Sequence, residues 1–221
     1  MGYFREIPNI RYPSFLSDKK SSLDYLEVKN IFRKIKLRDD LQNVTTAFDK
    51  YEIPEGARPD NVAEDLYGSD ELDWVVLLSA GIINVRDQWP LSNNDVYNFC
   101  LEKYETKIDS PRFYESREVK DSKGRLIMPK GKIVASDFSV TFYDSGTQLN
   151  VTKSGSSART AISNFVYETR INDKKRNIYV LKQGFIQQFL DDFRDTMVYD
   201  ESSQYYDDYT VETENTNITM P

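Results

Sequence analysis

The most sharply patterned stretch lies near the C-terminus. Phe185, Ile186, Phe189, Leu190, Phe193 and Met197 recur at three- and four-residue steps, with Gln187, Asp191, Asp192 and Arg194 between them. That spacing predicts an amphipathic helix with one apolar face. With each large side chain contributing about 1.5–3 kcal/mol when buried, the face is a strong dock for a sheet or another chain. Upstream, from Phe113 onward, alternation dominates and predicts paired strands. Val119 leads through Asp121-Ser122-Lys123-Gly124 to Leu126-Ile127-Met128, and Ser139–Tyr143 and Gln148–Thr152 flank Asp144-Ser145-Gly146. Both read as hairpins with Gly-containing turns. Ile162–Thr169 and Arg176–Leu181 read as a third strand pair across Asn172-Asp173-Lys174, and the Ser/Gly-rich run Lys153–Thr160 as a mobile loop. Its serines lack the Gly-Lys-Ser/Thr ending of a phosphate-cradling loop.

The N-terminal half has a different rhythm. Tyr51-Glu52-Ile53 predicts a short strand and Pro54-Glu55-Gly56 a turn. Pro59 then stands where a first helical residue is favoured, with Asp60 complementing the helix dipole, Val62, Ala63 and Leu66 on one face, and Gly68 as the stop. A second helix, capped by Ser69 or Asp70, carries Leu72, Val75, Val76 and Ser79 at helical spacing, and Gly81 closes it before Ile82-Ile83, a second short strand. Ser92–Tyr104 reads as a further helix with Ser92 or Asn94 as its cap. Ahead of all this, Pro8, Tyr12 and Pro13 suggest an extended arm. The run Lys29–Arg38 then interleaves Ile31, Phe32, Ile35 and Leu37 with five basic residues and has no clean period. An arm that orders against a neighbour accounts for it better than a nucleic-acid patch, because the charges are few and the apolar residues between them need burial.

Charge divides the chain in the same places. Residues 1–50 carry a net +3, 51–111 a net −9, 112–199 a net +5 and 200–221 a net −6. The expected organisation is an N-terminal arm (1–50), a strand-helix-helix-strand module with a following helix (51–111), a β-hairpin-rich domain closed by the C-terminal helix (112–199), and an acidic tail (200–221). The class is α+β. The tail has six acids, no base and three nearby tyrosines, Tyr205, Tyr206 and Tyr209. By composition it is disordered when alone, or a strap that orders on a basic neighbour. Blocks of alternating sign suit docking to several partners.

Composition removes most chemistry. Among the 221 residues there is no histidine and one cysteine, Cys100. Ser-His-Asp and Cys-His catalysis are therefore excluded, as are zinc sites that need imidazole. Cys100, beside Val96, Tyr97, Phe99 and Leu101, reads as a buried thiol. Carboxylate pairs for glycosidic hydrolysis exist on paper, but 36 acids make any one pair uninformative. No cofactor or metal is expected. No run of residues has the length and apolarity of a membrane span, and the N-terminus lacks a signal-peptide pattern, so synthesis in a host cytoplasm is expected.

The order of strand, two helices and strand over residues 51–84, with the Leu66-Tyr67-Gly68 stop, resembles the LysM module, a small fold best known for binding glycans. A more specific likeness covers the same residues. Arg58-Pro59, Leu66-Tyr67-Gly68, the run Trp74–Leu78, Ile82-Ile83-Asn84 and Trp89-Pro90-Leu91 follow one another in one order. That succession is similar to the baseplate wedge subunits of T-even-type contractile phage tails, the gene product fifty-three family. Lys174–Lys182 resembles the C-terminal part of such subunits, so the likeness spans about residues 45–199.

The wedge resemblance implies a structural virion protein of the tail baseplate and not an enzyme. It would join adjacent wedges and support sheath attachment, present in several copies in a symmetric assembly. Its partners would be other wedge proteins, the central hub and sheath-initiating proteins, with neither nucleic acid nor membrane. The LysM likeness implies an alternative, a glycan-binding module of a tail protein. Candidate module-defining or partner-contact residues are Arg58, Pro59, Tyr67, Gly68, Trp74, Trp89, Pro90, Phe185, Phe189 and Phe193. Trp74 among Val and Leu reads as core, and Trp89 before Pro90 as a fixed exit from the module.

Overall fold

The computed structural model describes residues 2–13, 25–37 and 46–213. Its elements begin with α1 (Tyr3–Glu6), β1 (Asn9–Pro13), β2 (Tyr25–Lys29), β3 (Phe48–Glu52), α2 (Pro59–Tyr67), α3 (Asp73–Ser79), α4 (Val85–Gln88) and α5 (Asn93–Tyr104). Seven strands follow: β4 (Pro111–Ser116), β5 (Val119–Lys120), β6 (Leu126–Met128), β7 (Ile133–Val134), β8 (Ser139–Asp144), β9 (Leu149–Ser154) and β10 (Arg159–Ser163). The chain ends with α6 (Asn164–Lys175), β11 (Asn177–Leu181), α7 (Ile186–Met197), β12 (Tyr205–Asp207) and β13 (Thr210–Glu212). This is the expected α+β class.

Helix boundaries follow local chemistry. At the start of α2, Pro59 lacks an N–H that the first turn would leave unpaired, and the Arg58 N–H donates to Asn61 Oδ1 at 3.2 Å. The helix stops at Gly68, whose φ of 70° strains any other residue. Ser92 Oγ accepts the Asp95 N–H at 3.2 Å to cap α5, and Ser163 Oγ accepts the Val166 N–H at 3.3 Å to cap α6.

The chain forms two compact units, one built from the residues before Pro90 and after Arg176, the other from Pro90–Arg176. The second is thus inserted into the first, a grouping that differs from the four consecutive segments expected. In the first unit, β3 pairs antiparallel with β11, Glu52 opposite Asn177 and Phe48 opposite Leu181. The strand expected at Ile82-Ile83 is not formed. Ile178, Val180 and Leu181 bury apolar side chains in the core, whereas Ile83 is 92% exposed, so β11 is the better partner for β3. Val62, Ala63, Trp74, Val75 and Val76 from α2 and α3 meet Leu190, Phe193 and Met197 of α7 in that core.

Arm and tail also belong to this unit. β1 lies between β2, antiparallel, and β13, parallel, with β12 beyond β13. The basic neighbour on which the tail orders is therefore the chain's own arm. Arg11 lies 4.0 Å from the centre of the Tyr206 ring and 3.4 Å from the Glu212 carboxylate. Residues 205–207 and 210–212 are strands. Residues 214–221 lie outside the described ones.

In the second unit β4 is flanked by β10 and β7, and two hairpins stand apart from that sheet, β5–β6 and β8–β9, both as expected. The third strand pair is not. Chain that was expected to continue as strand after Ile162 turns at Ser163 into α6, because the buried face of this helix is polar and so hid its period. Its buried positions are Glu168 and Asn172. Glu168 accepts from Lys103 Nζ at 2.9 Å, and Asn172 pairs with both the N–H and C=O of Leu91 at 2.7 and 2.9 Å. Lys153–Thr160, expected as a mobile loop, instead finishes β9, makes a single turn at Gly155–Ser157 and starts β10 around the buried Ala158.

Two-stranded hairpins are marginal alone, and here their turns are tied together. Ser122 donates to Asp144 Oδ1 through both its hydroxyl (2.5 Å) and its N–H (3.3 Å), and the Gly146 N–H donates to the same oxygen at 3.1 Å. In the neighbouring turn Asp121 accepts Arg125 Nε at 2.7 Å. The Ser122 hydroxyl, then the Gly146 N–H, hold the Asp144 carboxyl below its ordinary range. At Asp121 burial acts upward and is outweighed by the hydrogen bonds and charge of Arg125, which leave it lowered as well.

A Cβ added at Gly146 would lie 1.9 Å from Ser122 Oγ. Gly146→Ala is therefore expected to cost about 1–3 kcal/mol in urea unfolding, and distinctly less in a Ser122→Gly background, where the clash is gone. The pH dependence has a fixed sign. A carboxyl lowered by folding contributes stability above its unfolded value, near pH ~3.9, and loses that contribution as pH falls through the folded value. Thermal melts of wild type and Asp144→Asn should differ at neutral pH, with the gap closing as the buffer is taken below about pH 4.

Candidate assembly surfaces

Three of the six candidate aromatic residues, Trp74, Phe189 and Phe193, converge on one interior point of the first unit. The Trp74 ring centre is 5.0 Å from that of Phe193, 5.7 Å from Phe189 and 5.5 Å from Tyr3, in tilted geometries that suit the aromatic quadrupole. Trp74 and Phe193 are buried and Phe189 is partly so. Trp89 is also buried, and its Nε1–H donates to Ala57 O at 2.8 Å, which ties the end of α4 to the loop before α2. Neither indole offers a free face to a sugar ring. Pro90, buried too, is the first residue of the second unit.

Tyr67 and Gly68 finish α2 against β11. The Tyr67 hydroxyl donates to Leu181 O at 2.9 Å, and burial pushes its pKa up to about 12. It is a neutral donor over the whole working pH range, fixed to backbone. Arg58 leads into α2 with an exposed guanidinium 3.2 Å from Asp60, and Pro59 sets the first turn. Of the candidates, Arg58, Gly68 and Phe185 are the ones that face solvent.

The first unit presents other apolar groups on loops that are firmly held. Ile31 is 67% exposed and Phe32 85%, in the turn after β2. Around them the Phe32 N–H donates to Asn30 Oδ1 at 3.2 Å, and Asn30 Nδ2 to Tyr199 Oη at 2.7 Å. Arg33 Nη2 donates to the carbonyls of Thr196 (2.8 Å) and Val198 (3.0 Å), and its guanidinium lies 4.6 Å from the Tyr199 ring centre. A second such loop surrounds Ile83, where Gln88 Oε1 accepts the N–H groups of Ile83 (2.8 Å) and Asn84 (2.9 Å). Large apolar side chains held out by ordered backbone lose little entropy on docking, which is what a contact anchor requires.

The second unit carries its own exposed apolar groups. Leu126, Ile133, Tyr143 and Leu149 lie on its hairpins and short strands, and Tyr97 and Leu101 on α5. The flank of α5 that is buried holds Val96 and Cys100, with burial pushing the thiol pKa up, so this cysteine is a packing residue and not a nucleophile. Among the described residues no helix is long and apolar enough to cross a membrane.

Sequence reasoning did not single out Asn30, Arg33, Ile83 or Gln88 as contact-forming positions. The available signal was weak: Asn at a turn after a strand, and an Ile-Asn pair ahead of a four-residue helix. Pattern alone does not distinguish an apolar residue that fills a core from one that a loop holds out to solvent.

No curated protein matches the chain. The family model described as base plate wedge protein 53 matches residues 7–117. That stretch starts earlier and ends earlier than the likeness seen in the sequence over 45–199, and it includes Arg58, Pro59, Tyr67, Gly68, Trp74, Trp89 and Pro90. Since the match takes in half the chain and the residues that shape α2 and α3, the chain belongs to the base plate wedge protein 53 family of phage structural proteins.

Proposed function

We propose that this chain is the wedge subunit that joins adjacent wedges into a baseplate ring and supports attachment of the sheath. The observation that carries the reading is membership of the wedge family combined with two separately closed units on one chain. Each unit has its own ordered, exposed apolar groups. Linkage on one chain raises the effective concentration of the second contact once the first is made, so two modest interfaces act as one strong one. The partners in this reading are other wedge proteins, the central hub and sheath-initiating proteins. Lack of histidine fits a geometric role rather than a catalytic one.

A glycan-binding role has less support. The tryptophans that would stack on sugar are buried, and the Tyr67 hydroxyl is used by Leu181 O.

If each unit contributes one contact, polar substitutions on either should separate folding from assembly. Ile83→Glu in the first unit, and Leu149→Glu with Ile133→Glu in the second, are expected to leave thermal melting within ~1 kcal/mol of wild type, since all three side chains already face solvent. Expressed in cells infected by phage lacking the native subunit, each variant should yield separate wedges instead of rings in electron micrographs. Full rescue of infectious particles by both would contradict the reading.

A further inference from the structure

The outer edge of β2 alternates charged and apolar side chains, Glu27 and Lys29 with Leu26 and Val28, all of them exposed. Among the described residues β2 pairs only with β1, in the order β12-β13-β1-β2. Exposed edges are normally blunted by charges. Here the two charged residues of β2 are turned back on their own chain, Glu27 accepting from Asn9 Nδ2 and Lys29 donating from Nζ to Ile7 O at 3.0 Å. Leu26 and Val28 alternate with them and are exposed, and the same run of chain continues into the anchored Ile31-Phe32 turn. Backbone direction is fixed as well. The Asn30 N–H donates to Pro8 O at 2.8 Å, so even-numbered residues of β2 bond inward to β1 and Glu27 turns its N–H and C=O outward.

We infer that the β2 edge and the Ile31-Phe32 turn form a strand-addition site for an extended, acidic segment of another baseplate protein. Main-chain pairing along β2 supplies affinity, and a pocket on the partner that takes Phe32 supplies an anchor. The sign of the partner's charge comes from Val28–Leu37, which holds Lys29, Arg33, Lys34 and Lys36 and no acid. Lys34 and Lys36 are exposed beside the turn. The inference rests on the wedge-joining reading and gives that joint its chemistry.

Glu27→Pro in the full chain removes the outward N–H and leaves the main-chain bonds to β1 in place, a change edge strands tolerate, while the side-chain bond from Asn9 is lost in this variant and in its control alike. Glu27→Val keeps the N–H and is the control. The probes are a labelled peptide of alternating Val and Thr with Asp at both ends, the same peptide with Lys at both ends, and oligo(dT), read by fluorescence anisotropy. The Asp-ended peptide is expected to bind roughly tenfold more tightly than the Lys-ended one, and Phe32→Ser and Glu27→Pro each to weaken it by about tenfold, while Glu27→Val does not. Equal binding of both peptides, preference for oligo(dT), or a Glu27-dependent dimer in sedimentation would each overturn the inference. Ring formation in infected cells is scored in parallel. A Glu27→Pro chain that loses the peptide but still closes rings overturns the strand-addition site and leaves the wedge-joining reading intact. A wild-type chain that binds the peptide but closes no rings would defeat the wedge-joining reading instead.

Discussion

The pairing of β3 with β11 is the constraint on which the rest depends. β3 is short, precedes a turn that leads directly into α2, and has no strand near it in sequence among the described residues. Its partner arrives only after the whole of the inserted unit has been threaded out and back between Trp89 and Asn177. Once β11 is in place, Leu181 accepts the Tyr67 hydroxyl and α7 follows at once, bringing Phe189 and Phe193 to Trp74. The termini are drawn in by the same closure, because Arg194 of α7 holds the Glu6 carboxylate with Nε at 2.7 Å and β13 pairs with β1. Such long-range contacts pay loop-closure entropy before they return any stability, so this unit should form late.

The inserted unit solves a different problem. Its sheet is small and its hairpins stand apart, so it relies on buried polar groups that are fully paired: Glu168 with Lys103 and Tyr104, Asn172 with the Leu91 backbone, Asp144 with Ser122 and Gly146. Paired networks of this kind define one arrangement sharply and penalise the loss of any member. A unit held this way keeps its shape while leaving apolar side chains on its surface for docking.

Much of this was legible in the sequence. Period placed α3 and α7, period with a first-turn proline or a serine cap placed α2 and α5, and turn chemistry placed both hairpins, since local rules decide those elements. The cap expected of Ser69 or Asp70 is not made, and α3 starts at Asp73 after Leu72. α6 was missed because Glu168 and Asn172 occupy the positions where an apolar stripe would have shown the helix. The second strand of the module was misplaced to Ile82-Ile83, since nothing local says that a strand more than ninety residues later packs better there. Among the candidate site residues, Trp74 was read as core, Trp89 as a fixed exit and Phe189 and Phe193 as a face that docks on a sheet or another chain; all four pack in the first unit's core. The exposed anchors Phe32 and Ile83 left no signal, because exposure is a property of the fold and not of the residue.

In the proposed role this family member's work is geometric: loops and edges held by hydrogen bonds, with apolar groups turned outward. The most direct measurement is a cryo-electron microscopy map of the assembled baseplate in which this chain is traced. The account predicts that the unit containing Trp74 and the unit spanning Pro90–Arg176 touch subunits of two different wedges. A map in which both units lie within one wedge, with solvent around Phe32 and Ile83, would contradict it.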